Sequence, residues 1–202
     1  MGYLGWIRPW HLRWGATEEE VHAAMPGEEL LPHPMLCATR AVTIGATPEQ
    51  VWPWIVQMGY GRGGFYAIDI IDNNAQPSAD HLIPALQNLK VGDTMPTSPL
   101  GGFTIDSIDP PVSMVMTFTA DALPGVGMSG VTAMRLIRTP ARSTRLICRL
   151  QADFDSSIAS RLYYLLFEPG DFLMMRQMMV GIRDRAERTT DTDVAAIEHP
   201  LP

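Results

Sequence analysis

Four polar residues have the chemical types that acid–base catalysis needs: Tyr66, Asp69, His81 and Arg149. A tyrosine can donate a hydrogen bond to a carbonyl, a histidine can shuttle protons, and an aspartate can orient either of them. Their spacing does not show that they converge. Asp69 has a simpler role as a helix cap, and Arg149 falls on the polar side of a predicted strand. The four are therefore candidates for catalysis, and no reaction follows from them alone.

The cofactor and metal motifs in the sequence are incomplete. Gly59–Gly64 fits the pattern G-x-G-x-x-G, but a dinucleotide-binding fingerprint follows a strand and opens a helix. Here a predicted helix precedes the glycines, so we interpret the segment as a loop, with Arg62 as a solvated residue at its tip. Asp69 and Asp72 lack a histidine or cysteine at ligand spacing. We therefore predict no cofactor and no metal.

Composition narrows the class of protein. The chain has 202 residues, of which 46% are hydrophobic and 18% charged, as expected for one globular domain with terminal extensions. A net charge of -7 without a basic cluster argues against nucleic-acid binding. Cys37 and Cys148 are too few for a disulfide framework, and no apolar run predicts a signal peptide or a membrane span. We expect a cytoplasmic protein without stable membrane insertion; its oligomeric state stays open.

The central part of the chain predicts an antiparallel sheet. Residues 38–45 read as a first strand, and Thr47 to Gln50 form a capping box that opens a helix. Five further runs alternate between apolar and polar residues: 91–95, 103–108, 112–120, 128–138 and 144–153. The period of two places one set of side chains on an apolar face: Phe103, Ile105, Met114, Met116, Phe118, Met134, Leu136, Leu146, Cys148 and Leu150. The opposite face, which carries Arg135, Arg145 and Arg149, is predicted to be solvated.

The last long periodic stretch, residues 169–188, predicts an amphipathic helix. Its apolar face holds Phe172, Met175, Met179 and Ile182, and methionine is flexible enough to fit varied neighbours. We interpret this face as one wall of an adaptable pocket; an ordinary methionine-rich core helix is the alternative. The apolar face of residues 158–167 is out of phase with it, so we predict a break or bend at Pro169–Gly170.

The two termini are predicted to lie outside the main domain. Residues 1–36 form an arm with a short acidic helix and three tryptophans, Trp6, Trp10 and Trp14. A membrane anchor would need a helix that Pro9 interrupts, so we expect the tryptophans to pack onto the body of the protein. Residues 37–188 form the main domain, and 189–202 show no periodicity and are predicted to be a flexible tail.

This order of elements resembles the START-like superfamily, also called SRPBCC or the polyketide cyclase/dehydrase and lipid-transport group. Residues 38–59, A-T-R-A-V-T-I-G-A-T-P-E-Q-V-W-P-W-I-V-Q-M-G, are similar to the first strand and helix of that family, and residues 12–21 and 61–69 are similar to a bacterial branch of it. The resemblance implies an α+β helix-grip fold, a curved antiparallel sheet wrapped around a long C-terminal helix. It also implies a hydrophobic cavity between sheet and helix, whereas activity varies within the family.

Three functions remain open. The first is binding or transport of a small hydrophobic molecule, such as a lipid, a polyketide or an aromatic compound. We predict that nine residues line its site: Phe65, Tyr66, Met114, Met116, Phe118, Met134, Phe172, Met175 and Met179. The second is a cyclase or dehydratase that uses Tyr66, Asp69 or His81 as acid or base. The third is a protein-interaction module whose cavity is vestigial and whose tryptophan-rich arm binds the partner.

Overall fold

The computed structural model describes residues 7–123 and 125–198. One antiparallel sheet has the strand order β1-β6-β5-β4-β3-β2. Its strands are β1 (Leu36–Ile44), β2 (Thr94–Ser98), β3 (Gly101–Asp109), β4 (Ser113–Leu123), β5 (Val126–Arg138) and β6 (Thr144–Phe154). The helices are α1 (Arg8–Leu12), α2 (Glu18–His22), α3 (Pro48–Val56), α4 (Asp69–Asp72), α5 (Ile158–Ala186) and α6 (Asp191–Glu198). The sheet is curved and α5 packs on it, which confirms the predicted α+β helix-grip architecture.

The inner face of the sheet, which faces α5, is the apolar face that the alternation predicts. Met114 pairs with Met134, and Met134 pairs with Cys148 in the next strand. All three side chains are buried in the main core. Because side chains alternate between the two faces of a strand, one correct register assigns the whole set. This part of the prediction is confirmed.

The outer face of β4 to β6 is covered around Val115, Val131 and Ile147, so the prediction is wrong for that part of the sheet, whereas Thr104 and Asp106 on β3 are exposed as predicted. Val115, Val131 and Ile147 form a second buried cluster with Met25 of the N-terminal segment. The chain approaches the strands so closely at Gly27, where φ is +78°, that an added Cβ would lie 2.4 Å from a methyl group of Val115. The outer positions of β4 to β6 include apolar residues between the arginines, and these residues need a cover.

Arg149 holds that cover in place. It lies on the outer face of β6, where its guanidinium donates to the main-chain oxygens of Glu20, Val21 and Ala23 at 2.9–3.0 Å. It also donates to the Thr39 hydroxyl and to a Glu28 carboxylate oxygen. Only 6% of the residue is exposed. Arg149 thus links the N-terminal segment to the sheet by hydrogen bonds, on the face opposite α5.

The N-terminal segment also packs against α5, as we predicted for its tryptophans. The Trp10 ring meets the Phe172 ring edge-on, with 5.3 Å between centroids, and the Arg176 guanidinium lies 5.1 Å from the Trp14 ring centroid. Trp6 lies outside the described residues.

Helix α5 runs without interruption through Pro169, so of the two predicted outcomes the break is wrong and the bend stays a prediction. A proline at this position removes the hydrogen bond to the carbonyl of Leu165. Leu165 is 64% exposed, so water can satisfy that carbonyl and the helix can continue. The out-of-phase apolar face of Ile158, Leu162, Leu165 and Leu166 exists, but it lies exposed on the surface.

The C-terminal half of α5 is packed tightly against the domain. Met179, Ile182 and Ala186 have no exposed surface. A Cβ added to Gly181 would lie 2.2 Å from the main-chain oxygen of Tyr66, so only glycine fits at this crossing. Gly170, near the middle of the same helix, has no neighbour within 4 Å of the equivalent position.

Helix α6 follows α5 in the segment where the sequence pattern predicts no regular structure. The Trp54 indole N–H donates to the Thr189 hydroxyl at 2.8 Å, and the Gln50 amide donates to Asp191 at 3.1 Å. These contacts hold the start of α6 beside α3. Within the described ranges, no helix has the length and apolar character needed to cross a membrane.

The two glycines of α5 give a matched pair of substitutions. Gly170→Ala should stabilise the protein by about 0.5–1 kcal/mol, since alanine favours helix and meets no neighbour. Gly181→Ala should destabilise it by about 1–3 kcal/mol through the clash with Tyr66. Urea unfolding measures both, and equal effects of the two changes would contradict the close approach.

The fastening role of Arg149 makes a second prediction. Arg149→Met should cost about 2–4 kcal/mol, because three partly buried carbonyls lose their donor, and should speed tryptic cleavage after Arg13. The control is Arg135→Met, which removes a single 3.4 Å hydrogen bond to Ala24 and should change stability by less than about 0.5 kcal/mol. Thermal unfolding and timed proteolysis report the two effects, and unchanged cleavage in Arg149→Met would count against this role.

Candidate functional site

A cavity of about 730 Å³ lies between the inner face of the sheet and α5. This volume is within the range of about 300–1,000 Å³ that small-molecule sites occupy. Tyr163, Phe167, Met174 and Met178 face it from α5. The first and last of them are fifteen positions apart, so the cavity extends about 22 Å along the helix at a rise of 1.5 Å per residue. Its apolar walls also include Met58, Ala67, Met95, Leu100, Phe103, Met128 and Leu150.

Five of the nine residues predicted to bind ligand line this cavity: Phe65, Met116, Phe118, Met134 and Met175. They come from the loop after α3, from β4 and β5, and from α5. The period of two in the strands and the helical period in α5 brought these positions to one place.

The other four predicted ligand-binding residues do not line it. Met114 and Met179 have no exposed surface and belong to the solid part of the core. Phe172 turns toward the N-terminal segment, where it contacts the rings of Trp10 and His11. The fourth is Tyr66. The strand and helix periods correctly place Met114 and Met179 on the sides of β4 and α5 that face each other. Part of the space between these two sides is packed core, however, and only the rest is cavity.

Tyr66 has a structural role in place of the predicted polar anchor. It is buried, with a φ of +58°, and its hydroxyl donates to the main-chain oxygen of Trp54 at 3.0 Å. The Arg185 guanidinium lies 4.5 Å from its ring centroid. Burial strongly raises the pKa of Tyr66. A neutral hydroxyl already committed to a carbonyl is a fixed part of the core.

The other three acid–base candidates do not converge either. Asp69 accepts hydrogen bonds from the main-chain N–H and the hydroxyl of Ser78, which closes the loop after α4. His81 is exposed and pairs with Asp80 at 2.8 Å. Arg149 lies on the opposite face of the sheet. None of the four catalytic candidates is among the described residues that line the cavity.

The cavity has an acidic wall that the sequence analysis missed. Asp171 of α5 lines it, and one of its oxygens accepts from Arg40 Nη1 at 2.6 Å. Arg40 is completely buried behind this wall and also donates to the main-chain oxygen of His11. Burial raises the pKa of Asp171, although the neighbouring guanidinium opposes the shift. Arg40 lies between Ala38 and Val42 on the inner side of β1. A charged residue at an otherwise apolar strand position is the sequence signal that could have located this ion pair.

A second acidic residue, Asp72 at the end of α4, also lines the cavity. Both of its carboxylate oxygens are shielded from solvent, and neither has a hydrogen-bond partner among the described residues. Burial raises the pKa of Asp72 and the charge of Asp69 raises it further, while the nearby main-chain amide of Ile68 partly offsets them. Sequence reasoning considered Asp72 only as half of a metal pair. The described part of the chain holds no cluster of three or more metal-ligating side chains.

The glycine-rich loop is structural. Gly59 and Gly64 exchange two main-chain hydrogen bonds of 3.1 Å, which close the loop on itself. Arg62 is not a solvated tip residue: its guanidinium donates to the main-chain oxygens of Val56 and Met58 at 3.0 and 2.9 Å. An arginine in this position satisfies carbonyls left free at the end of α3.

Comparisons with known proteins show distant similarity of shape alone. No family model matches the sequence, and no curated protein matches it. The chain is similar to the Aha1 dimer from Colwellia psychrerythraea (TM-score 0.47, 14% identity, 76% of this chain and 98% of that one). It is also similar to MLL2253 from Mesorhizobium loti (0.44, 17%, 75% and 98%) and to CalU16 from Micromonospora echinospora (0.37, 13%, 81% and 88%). At these values the neighbours do not indicate what this chain binds or does.

The unpartnered carboxylate of Asp72 should lower stability in a pH-dependent way. Its folded-state pKa lies above the ordinary value of 3.8, so the folded protein holds the proton more tightly than the unfolded chain. The resulting penalty is absent below pH 3.8 and grows to its full size as pH rises through the folded pKa. Asp72→Asn should therefore raise the Tm at pH 7 by about 2–4 °C and by less at pH 4.

The matched control is Asp106→Asn, which removes the same charge from an exposed position on β3. It should leave the Tm unchanged at both pH values. A loss of stability in Asp72→Asn at pH 7 would show that the carboxylate has a stabilising partner. Differential scanning calorimetry of the two variants gives the comparison.

Proposed function

We propose that this protein binds a small hydrophobic molecule, such as a lipid, a polyketide or an aromatic compound, in the cavity between the sheet and α5. The observation that supports the proposal is the cavity itself, which has a volume of about 730 Å³ and is lined in large part by methionine and phenylalanine residues. Protein interiors are normally close-packed, and an apolar void of this size forfeits contacts that a filled core would make. An apolar guest would restore them.

The residues we propose as ligand contacts are Phe65, Met116, Phe118, Met134 and Met175, together with Phe103, Phe167 and Met178. Removing apolar ligand surface from water supplies about 25 cal/mol per Å² before the costs of ordering the ligand. Flexible methionines can adjust to guests of different shape. Such walls favour binding by burial, with few polar contacts to fix one orientation.

The two other functions have less support. The enzyme hypothesis required at least two of the candidates Tyr66, Asp69, His81 and Arg149 to face one cavity, and their side chains are engaged elsewhere. The interaction-module hypothesis required a filled core and an exposed apolar patch. The patch exists along Ile158, Leu162, Leu165 and Leu166 of α5, but the open cavity favours binding of a small molecule.

Filling the cavity tests the proposal. Met175→Trp should weaken binding of the apolar fluorescent probe N-phenyl-1-naphthylamine at least about tenfold, because the larger ring occupies the ligand space. The control is Leu165→Trp, a similar enlargement on the exposed side of the same helix, which should leave probe binding unchanged. Fluorescence titration gives both dissociation constants.

Circular dichroism must show that both variants are folded. Equal probe affinity in Met175→Trp and the parent protein would place the probe elsewhere and contradict the proposed site. Native mass spectrometry of freshly purified protein adds a direct search for a co-purifying apolar molecule, which the same variant should lack.

A further inference from the structure

One side of the N-terminal half of α5, which we call the leucine face, is both apolar and exposed. Its five large aliphatic side chains are between 46% and 79% exposed: Ile158, Leu162, Leu165, Leu166 and Leu173. Pro169 is exposed among them. Steps of three and four positions keep these residues on one side of the helix, over about 22 Å at a rise of 1.5 Å per residue. Monomeric soluble proteins rarely leave so long an apolar surface in water.

Exposed apolar residues continue from the leucine face onto the N-terminal segment. Trp10 meets Phe172 of α5 edge-on and keeps 55% of its surface exposed, and Ile7, three positions earlier, is 51% exposed. If two copies of the chain covered each other at these residues and at the leucine face, they would bury on the order of 1,000 Å² in total, which is the area that a specific interface needs.

The leucine face also carries one unused donor and one unused acceptor. Arg161 is the one exposed charged residue between positions 158 and 173, and its guanidinium has no hydrogen-bond or ion-pair partner among the described residues. The carbonyl of Leu165 lacks its helical donor, because Pro169 has no N–H. Arg161 of the same chain cannot supply one, since the carbonyl points toward the C-terminus of the helix and the arginine side chain leans toward the N-terminus.

We propose that the leucine face binds the same face of a second copy of this chain. The two helices run antiparallel about a two-fold axis that passes between Leu165 and Leu166. Ile158 of one copy then lies level with Leu173 of the other, so the two ends of the face cover each other. The inference is independent of the proposed function, because these side chains are on the surface of the single chain and not in the cavity.

The antiparallel direction follows from the polar groups. It brings Arg161 of the second copy level with Gly170, within about one helical turn of the free Leu165 carbonyl. The two copies of Arg161 are then nine positions apart along the helix pair, about 14 Å, which exceeds the Debye length of about 8–10 Å. A parallel pair would place the two arginines side by side, align the helix dipoles unfavourably and leave both carbonyls unpaired.

The mass of the protein in solution tests the interface. Light scattering during gel filtration at micromolar concentration should give the parent protein the mass of two chains. Leu165→Glu places two carboxylates near the axis, so it should raise the dissociation constant at least about a hundredfold and give the mass of one chain. The control is Ile70→Glu, the introduction of the same charge at a residue of α4 that is 80% exposed, which should remain dimeric. Circular dichroism shows that both variants are folded.

Cross-linking tests the direction of the helices. The exposed Cys37 is first replaced by serine, and cysteines are introduced as Ile158→Cys and Leu173→Cys, singly and together. The double variant should form covalent dimers with the short reagent bismaleimidoethane, because position 158 of one copy lies level with position 173 of the other. Each single variant should stay uncoupled, since its two cysteines are about 22 Å apart. Denaturing gel electrophoresis reports the products.

The other outcomes overturn the proposal in different ways. A parent protein with the mass of one chain would refute the dimer, and its binding to phosphatidylcholine vesicles, lost in Leu165→Glu, would assign the leucine face to a lipid surface. A dimer that survives Leu165→Glu would use another face. Cross-linking of the single variants would show a parallel pair.

Discussion

The close approach of Gly181 to the main chain of Tyr66 sets the distance between α5 and the rest of the domain. No side chain fits between the helix and the loop there, and the buried residues Met179, Ile182 and Ala186 follow on the same half of the helix. Toward the N-terminus of α5 the lining residues Tyr163, Phe167 and Asp171 face a void. The helix is thus fixed at one end and stands over an open space at the other, so a single rigid element produces both a solid core and a cavity.

The outer face of the sheet contributes the second constraint. A sheet that must remain curved over a void cannot rely on its inner packing alone. Residues 13–31 cover Val115, Val131 and Ile147 from outside, and Arg149 ties three of their carbonyls to β6. The N-terminal segment then crosses to α5, where Arg8 makes a hydrogen-bonded ion pair with Glu168 at 2.9 Å. The N-terminal segment therefore connects the sheet to the N-terminal half of α5, which is less tightly packed and borders the cavity.

Much of this fold could be predicted from the sequence, because periodicity is a local signal. The alternation of apolar and polar residues in β3 to β6 predicted which side chains lie on the inner face of the sheet. The methionines of α5 predicted one wall of the cavity. What failed depended on non-local contacts. Arg149 occupies a polar position by period, yet a segment more than a hundred residues away covers it. Tyr66 looked like a ligand anchor, but its positive φ and its bond to Trp54 are properties of the folded loop. Pro169 predicted a break or a bend, and the exposure of Leu165, which is known only from the fold, explains why the helix continues.

The same reasoning explains why the polar residues of the cavity escaped notice. Sequence reasoning searches for acids and bases that are grouped, whereas Asp72 and Asp171 come from helices about a hundred residues apart and share only the space between them. One of them is neutralised by Arg40, a charge on an apolar strand face that the folded core encloses completely. The other is left without a donor.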